Sequence, residues 1–339
     1  MAQIKISLID LPIGFLLIAL PGAAQAQGIS LNYDTLSSIE EPLSTDIGGV
    51  TVQLTGLLDG RLDYDFDGLD EGFDPAFTSN FEVSATTQLS NRLNVGVAYF
   101  GQYESDAGGR DHYRDNVAGF IGGSWGTLVG GEVSGLVREE TRRRRGTGNA
   151  DLAFDGTYGS LENWGGGYVG QFGPGRVSGV VDEDGNFDLG FTWSRPLGNK
   201  DYRFGLRYTN SEFQSPDGLT QFDSNAVTGL AEFIYGSSLY DINVGYERLD
   251  SGPIDANRWF VSAGWQTKTG SLTLSAAGHY GEVAGQSEIS AALGIRYDVA
   301  RGLSLNLGLN HSDAQIAVGG VTLTDIDDIE TSGSLRYSF

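Results

Sequence analysis

The chain has no cysteine, so neither a disulfide framework nor a thiolate metal site can form. Methionine occurs once, at position 1, and proline only 8 times in 339 residues. Basic side chains are few: 21 Lys and Arg stand against 44 Asp and Glu, a formal charge of −23. That balance excludes a nucleic-acid binder, whose main handle is neutralisation of phosphate charge. Continuous apolar runs are also scarce. Leu11–Leu20 falls short of the roughly 20 apolar residues a spanning helix needs, and no later segment comes near that length.

Residues 1–26 have the layout of an export signal. Lys5 precedes the apolar stretch, and Pro21-Gly22-Ala23-Ala24-Gln25-Ala26 follows it. Small residues at Ala24 and Ala26 predict cleavage after Ala26, so that the mature chain starts at Gln27. Asp10, beside the apolar run, departs from the usual pattern.

What is abundant is alternation with period two, beginning at Thr51. Leu303, Leu305, Leu307 and Leu309 interleave with Ser304, Asn306, Gly308 and Asn310. Tyr202–Thr209, Tyr240–Glu247, Ile289–Asp298 and Phe81–Leu89 alternate in the same way. One face of each strand is apolar, often aromatic at its ends. The other carries Gly, Ser, Asn and charge, as befits a wall between hydrocarbon and water.

Short turn signals predict seven hairpins. They fall at Ser90–Arg92, Trp125–Thr127, Gly173–Gly175, Pro196–Lys200, Gly236–Ser238, Lys268–Gly270 and Val299–Gly302. With Thr51–Asp65 before them and Ser332–Phe339 after them, the count is about sixteen strands. Longer polar connections are expected at the other end, at 66–78, 104–115, 138–164, 182–186, 210–224, 249–257, 281–287 and 312–330. The fold predicted is all-β, a transmembrane antiparallel barrel over 51–339 whose even strand number lets the ends pair and leaves no edge in lipid. A soluble β-sandwich or propeller also alternates, but its apolar face must form a packed core. Aromatics near strand ends favour the membrane: Tyr99, Phe100, Tyr103, Trp125, Tyr168, Phe172, Trp193, Trp259, Trp265 and Tyr280 fit interface girdles.

With its export signal, its hairpin count, a long third loop and the ending Leu335-Arg336-Tyr337-Ser338-Phe339, the chain resembles the Gram-negative general diffusion porins, of the type found in alphaproteobacteria. The resemblance covers about 51–339 and is one of architecture. It implies a homotrimer in the cell outer membrane, in contact with lipid and lipopolysaccharide, that passes ions and small hydrophilic solutes. It implies a third loop folded into the lumen as a constriction, and recognition of the terminal Phe339 by the barrel-assembly machinery. The segment 27–50, which includes Glu40-Glu41-Pro42, departs from the pattern; it is open whether it lies in the lumen, in the periplasm or across a barrel end.

Within the constriction loop 138–164, Asp151, Asp155 and Glu162 are the expected eyelet carboxylates. Arg61, Arg203, Arg207, Arg296 and Arg336 are the expected opposing charges on the wall, or else ordinary ion-pair partners of inward acids. Leu152 and Phe154 are candidate anchors to the wall. The run Arg142, Arg143, Arg144, Arg145 reads equally as part of the eyelet or as a solvated basic rim that binds lipopolysaccharide phosphates or neighbouring subunits. The net charge of −23 predicts a modest cation preference. Asp63, Asp65, Asp67 and Asp74 have the spacing of a calcium loop around Gly68, so Ca²⁺ is a candidate ligand, although no flanking helices are expected and lumen-facing aspartates explain the same residues. The strings Asp182–Asp184 and Asp325–Glu330 read as solvated outer loops. No cofactor is required.

Catalysis is not expected. Only His112, His279 and His311 could serve a triad, and in His311-Ser312-Asp313 neighbours on a strand point to opposite faces. The rival readings are a solute-specific channel and a non-conducting structural or adhesive barrel.

Overall fold

The computed structural model describes residues 43–66, 72–105, 111–144, 146–161, 164–197, 200–216, 218–252 and 254–339. The expected signal peptide, its cleavage site and most of 27–50 lie outside these residues. The alternating segments form β1 (Leu43–Ile47), β2 (Val50–Asp65), β3 (Gly72–Gln88), β4 (Asn94–Ser105), β5 (Asp111–Gly123) and β6 (Gly126–Glu132). A short helix α1 (Leu136–Thr141) precedes β7 (Trp164–Phe172), β8 (Gly175–Asp182), β9 (Phe187–Leu197), β10 (Lys200–Gln214) and β11 (Gln221–Tyr235). The chain ends with β12 (Ser238–Asp250), β13 (Asp255–Thr269), β14 (Leu272–Val283), β15 (Gln286–Ala300), β16 (Leu303–Val318) and β17 (Val321–Ser338).

Strands β2 to β17 form a closed antiparallel barrel of sixteen, each paired with its sequence neighbours. The seam is β17 on β2, in register from Ser338↔Leu57 to Glu330↔Asp65. β2 overshoots this seam. Phe339 exchanges two backbone hydrogen bonds with Gly56, at 2.8 and 3.0 Å. β17 pairs with Leu57–Asp65, and β1 takes the rest of that edge of β2, from Ile47↔Val50 to Leu43↔Leu54. The connecting Gly48 and Gly49 have φ of 61° and 88°, the backbone that a tight hairpin turn requires. Part of the front extension is thus an edge cover on the wall.

Six of the seven short turns stand where their Gly, Pro and Asn signals place them; the seventh lies between β9 and β10, and its residues 198–199 are outside the described ones. The opposite end differs from expectation, because the strands run on through most of the predicted loops. β14 and β15 are joined by Ala284-Gly285, and β16 and β17 by Gly319-Gly320. All four residues have φ between 50° and 85°, so each pair makes a two-residue turn. The string Asp325–Glu330 therefore lies inside β17, not in an outer loop. The predicted calcium loop is likewise replaced by strand pairing: Asp63 on β2 stands opposite Asp74 on β3, while Asp67 is outside the described residues. Asp182 is buried and accepts hydrogen bonds from Asp184 N at 3.1 Å and Asn186 N at 2.8 Å, tightening a turn.

The two faces follow the alternation. Leu305, Leu307, Leu309, Val244 and Ile242 are exposed on the outside, whereas Ser304, Asn306, Ser290 and Ser262 are buried within. Two girdles bound the apolar band. Tyr202 and Tyr208, Tyr240 and Tyr246, and Trp265 and Trp259 are each six residues apart, about 20 Å along a strand, or about 15 Å along the barrel axis at a tilt of about 40°, inside the roughly 25 Å of an outer-membrane apolar band. Phe100 is an exception among the predicted girdle residues: it is buried on the inner face, 3% exposed. It belongs to one of two apolar clusters inside the barrel. The first gathers Phe100, Phe120, Val129, Val169 and Val180 around Leu136 and Val137 of α1. The second holds Phe222, Leu249, Val283, Ile316 and Leu323, with Phe154 and Tyr158 packed on it.

Candidate functional site

Between β6 and β7 the chain runs through 133–163 and makes its hydrogen bonds to inward-facing side chains of the wall. It opens with α1, which follows Gly135 in the left-handed conformation (φ 76°) and buries Leu136, Val137 and Thr141. The helix can approach β9 because the wall there is Gly190: a Cβ at that position would meet Val137 at 2.7 Å and Thr141 at 3.0 Å. After α1 the chain crosses to β15–β17. There Asn149 Oδ1 accepts from Arg336 at 3.1 Å and from Ser334 at 3.3 Å. Asp151 N donates to Asn310 at 3.0 Å. Gly294 and Gly308 again leave room, for the backbone of Thr147 and of Asn149.

The return limb is tied to β12 and β13. Arg258 donates to the carbonyls of Gly156 and Phe154, both at 2.5 Å. Tyr158 N and Gly159 N donate to Glu247 at 3.0 and 3.2 Å. Leu152 is buried, and Phe154 packs on the second apolar cluster, as the sequence suggested for it.

The charges pair differently from the sequence expectation. Asp155 is bound by Arg143 of its own loop and accepts from Ser262 at 2.5 Å and Asn243 at 3.4 Å, so it is spent on holding the loop. Arg143 also reaches Asp241 of the wall at 3.4 Å, and Arg144 N donates to Glu232 at 2.7 Å. On this side the loop brings the arginines and the wall the carboxylates, the reverse of the expected arrangement. The wall arginines are paired too: Arg61 with Asp63, Arg207 with Asp188 and Arg296 with Asp298, each at 2.7 Å, and Arg336 with Asp59 at 2.6 Å. Arg203 joins wall to loop, donating to Glu232 at 2.7 Å and to the carbonyls of Arg142 and Glu140 at 2.8 and 2.6 Å. Arg296 stands apart from this group. Arg145 and Glu162 lie outside the described residues. The sequence reading missed Glu140, Arg176, Glu232, Glu247 and Arg258; for the last four, inward parity on alternating strands was the available signal, whereas Glu140 lies on α1.

Burial raises the Glu140 carboxyl above its ordinary 4.5, an effect that Arg176, Arg203 and Arg144 oppose. Burial lowers the Arg144 guanidinium, and the charge of Arg203 adds to this. The Tyr158 hydroxyl is pushed up to about 12, first by burial and then by Glu288. Between loop and wall remains a cavity of about 1320 Å³, bordered by Arg61, Arg142, Arg144, Asp151, Arg203 and Arg336 among others.

His279 is buried against Glu288 at 3.1 Å. His112 lies on β5, not in a loop, and His311 bonds the Asp328 carbonyl at 3.2 Å.

No protein family's sequence profile matches the chain, and no curated protein matches it. Solved structures do. An outer membrane protein of Vibrio cholerae, OmpT in its trimer form, superposes with a TM-score of 0.67 at 17% identity, over 86% of this chain and 100% of that one. The anion-selective porin from Comamonas acidovorans gives 0.61 at 13% identity, over 86% and 100%. A substituted form of the Rh. blastica porin gives 0.55 at 14% identity, over 85% and 100%. The chain thus has the fold of the outer-membrane porins, a closed antiparallel barrel of sixteen strands.

Proposed function

We propose that this protein is an outer-membrane channel through which ions and small hydrophilic solutes diffuse passively. The observation that carries the reading is the polar cavity of about 1320 Å³ between loop 133–163 and the inner wall, inside a barrel whose outer face is apolar. Water-filled space lined by charge, within a wall that hydrocarbon can wet, is the physical requirement for such diffusion. The loop, fixed at both limbs by wall side chains, acts as the constriction. The chain reaches the outer membrane after export and cleavage near Ala26, contacts lipid and lipopolysaccharide there, and works as a homotrimer, the form named for the V. cholerae relative. Phe339 presents the terminal aromatic to the assembly machinery. The protein is not an enzyme in this reading, since its histidines stand apart or serve the wall.

The test is conductance. Purified protein added to a planar bilayer should insert in discrete steps, and liposomes carrying it should swell in solutions of small sugars. A folded barrel that gives neither steps nor swelling would instead be a structural or adhesive barrel.

A further inference from the structure

The net charge of −23 says little about the field inside the cavity, because exposed charges more than about 8 Å away are screened at physiological salt. What an ion meets is the surface of the cavity wall. There guanidinium groups lie in front and carboxylates behind. In the pair Arg61–Asp63 the side chains are 47% and 15% exposed, in Arg144–Glu232 56% and 1%, and in Arg336–Asp59 25% and 9%. Arg142–Glu139 and Arg176–Glu140 lean the same way. Arg143–Asp155 leans the other way, at 8% and 18%. Among the described residues five carboxylates border the cavity, Glu139, Glu140, Asp151, Asp155 and Glu330, against nine arginines.

These arginines stand on facing walls. Arg61 is on β2 and Arg336 on β17, whereas Arg203 is on β10, eight places from β2 around the ring of sixteen. Arg203 is itself buried, and the loop arginines held beside it, Arg142 and Arg144, with side chains 31% and 56% exposed, present the charge on that side. A solute in the cavity therefore has guanidinium groups on both sides. A guanidinium fork matches the paired oxygens of a carboxylate or phosphate and repels a cation.

We infer that the pore selects anions, and among them favours small oxyanions that carry a carboxylate or phosphate group. This rests on the channel reading above and reverses the cation preference that the total charge suggests. A water-exposed charge some 7 Å from the path contributes about 0.6 kcal/mol, about threefold for either ion and so about sevenfold in the local ratio of anions to cations before salt screening reduces it.

The experiment is the zero-current potential of the full mature protein in a planar bilayer under a KCl gradient. It is then repeated with inorganic phosphate or acetate in place of chloride. The expected sign shows anions more permeant than potassium, with current retained in both replacement salts. The double variant Arg61→Gln, Arg144→Gln should lower the anion-to-cation ratio by about threefold or more. Arg248→Gln, which alters an exposed pair with Asp255 on the outer surface, should leave the ratio unchanged. A potassium-selective wild type, a double variant with the wild-type ratio, or an equal effect of Arg248→Gln would each overturn the inference while leaving the channel reading intact. Absence of any conductance would overturn both.

Discussion

Arg258 and Glu288 form an ion pair of 2.7 Å in which both side chains are buried, 2% and 0% exposed. The same guanidinium contacts Glu247 at 3.3 Å, holds two loop carbonyls and lies between the rings of Tyr158 and Phe260, at 4.6 and 4.8 Å from their centroids. One side chain thus joins three strands to the returning limb of the loop.

Arg258→Leu removes the cation from between two buried carboxylates, a change that typically costs about 3–5 kcal/mol. The thermal midpoint in detergent should fall markedly. Arg258→Lys should recover little of it, because an ammonium cannot reproduce the planar fork. A midpoint within experimental scatter of wild type for either variant would show that the limb is held by other contacts.

The seam gives a second prediction. The ring of Phe339 lies where a Cβ on Gly56 would sit. Gly56→Val should displace that ring and weaken β17 on β2 by about 1–3 kcal/mol, the usual scale for overpacking. The unboiled protein should lose its compact electrophoretic form at a lower temperature than wild type. Gly60→Val is the control, because nothing lies near a Cβ there.

Much of this was legible beforehand, and the reasons are specific. Leu303–Asn310 could be assigned to a wall between two solvents because every second residue changes polarity. The seven short turns carried their Gly, Pro or Asn. The two-residue turn Ala284-Gly285 was missed because 281–287 is mostly Gly, Ala and polar residues, and the single buried apolar side chain there, Val283, leaves too short a pattern to read a period from. Phe100 and Phe222 were misread or overlooked because inward aromatics look like any others until the loop that covers them is placed. Charge pairing across the loop depended on where a flexible segment docks, and no spacing rule encodes that.

Acidity should act through Glu140. Its carboxyl titrates above the ordinary 4.5 in the folded protein, chiefly through burial. The folded state therefore holds this proton more tightly than the unfolded chain. The associated stability is fully present below the unfolded value and is lost as pH rises through the higher folded one. Single-channel noise should accordingly fall as pH is lowered from neutrality across that window, as α1 seats more firmly. Glu140→Gln should flatten the dependence. A variant with the wild-type pH profile would remove Glu140 from the account.

Loop anchorage at Asp155 gives a prediction in conductance. Asp155→Ala removes the partner of Arg143 and the acceptor of Ser262 and Asn243. The loop should lose its grip on β12 and β13, and open-channel current should become larger and noisier. An unchanged current would place the constriction elsewhere.

Val227 and Thr228 are neighbours on β11, the first 45% exposed on the outer face and the second bordering the cavity. Because the chain has no cysteine, Val227→Cys and Thr228→Cys can each be read without background in protein reconstituted into lipid vesicles. A charged, membrane-impermeant thiol reagent should modify the cysteine at 228 rapidly and spare the one at 227, while a lipid-soluble reagent should reach 227. Equal labelling of both positions by the charged reagent, or the reverse order, would contradict a wall with water on one side and hydrocarbon on the other.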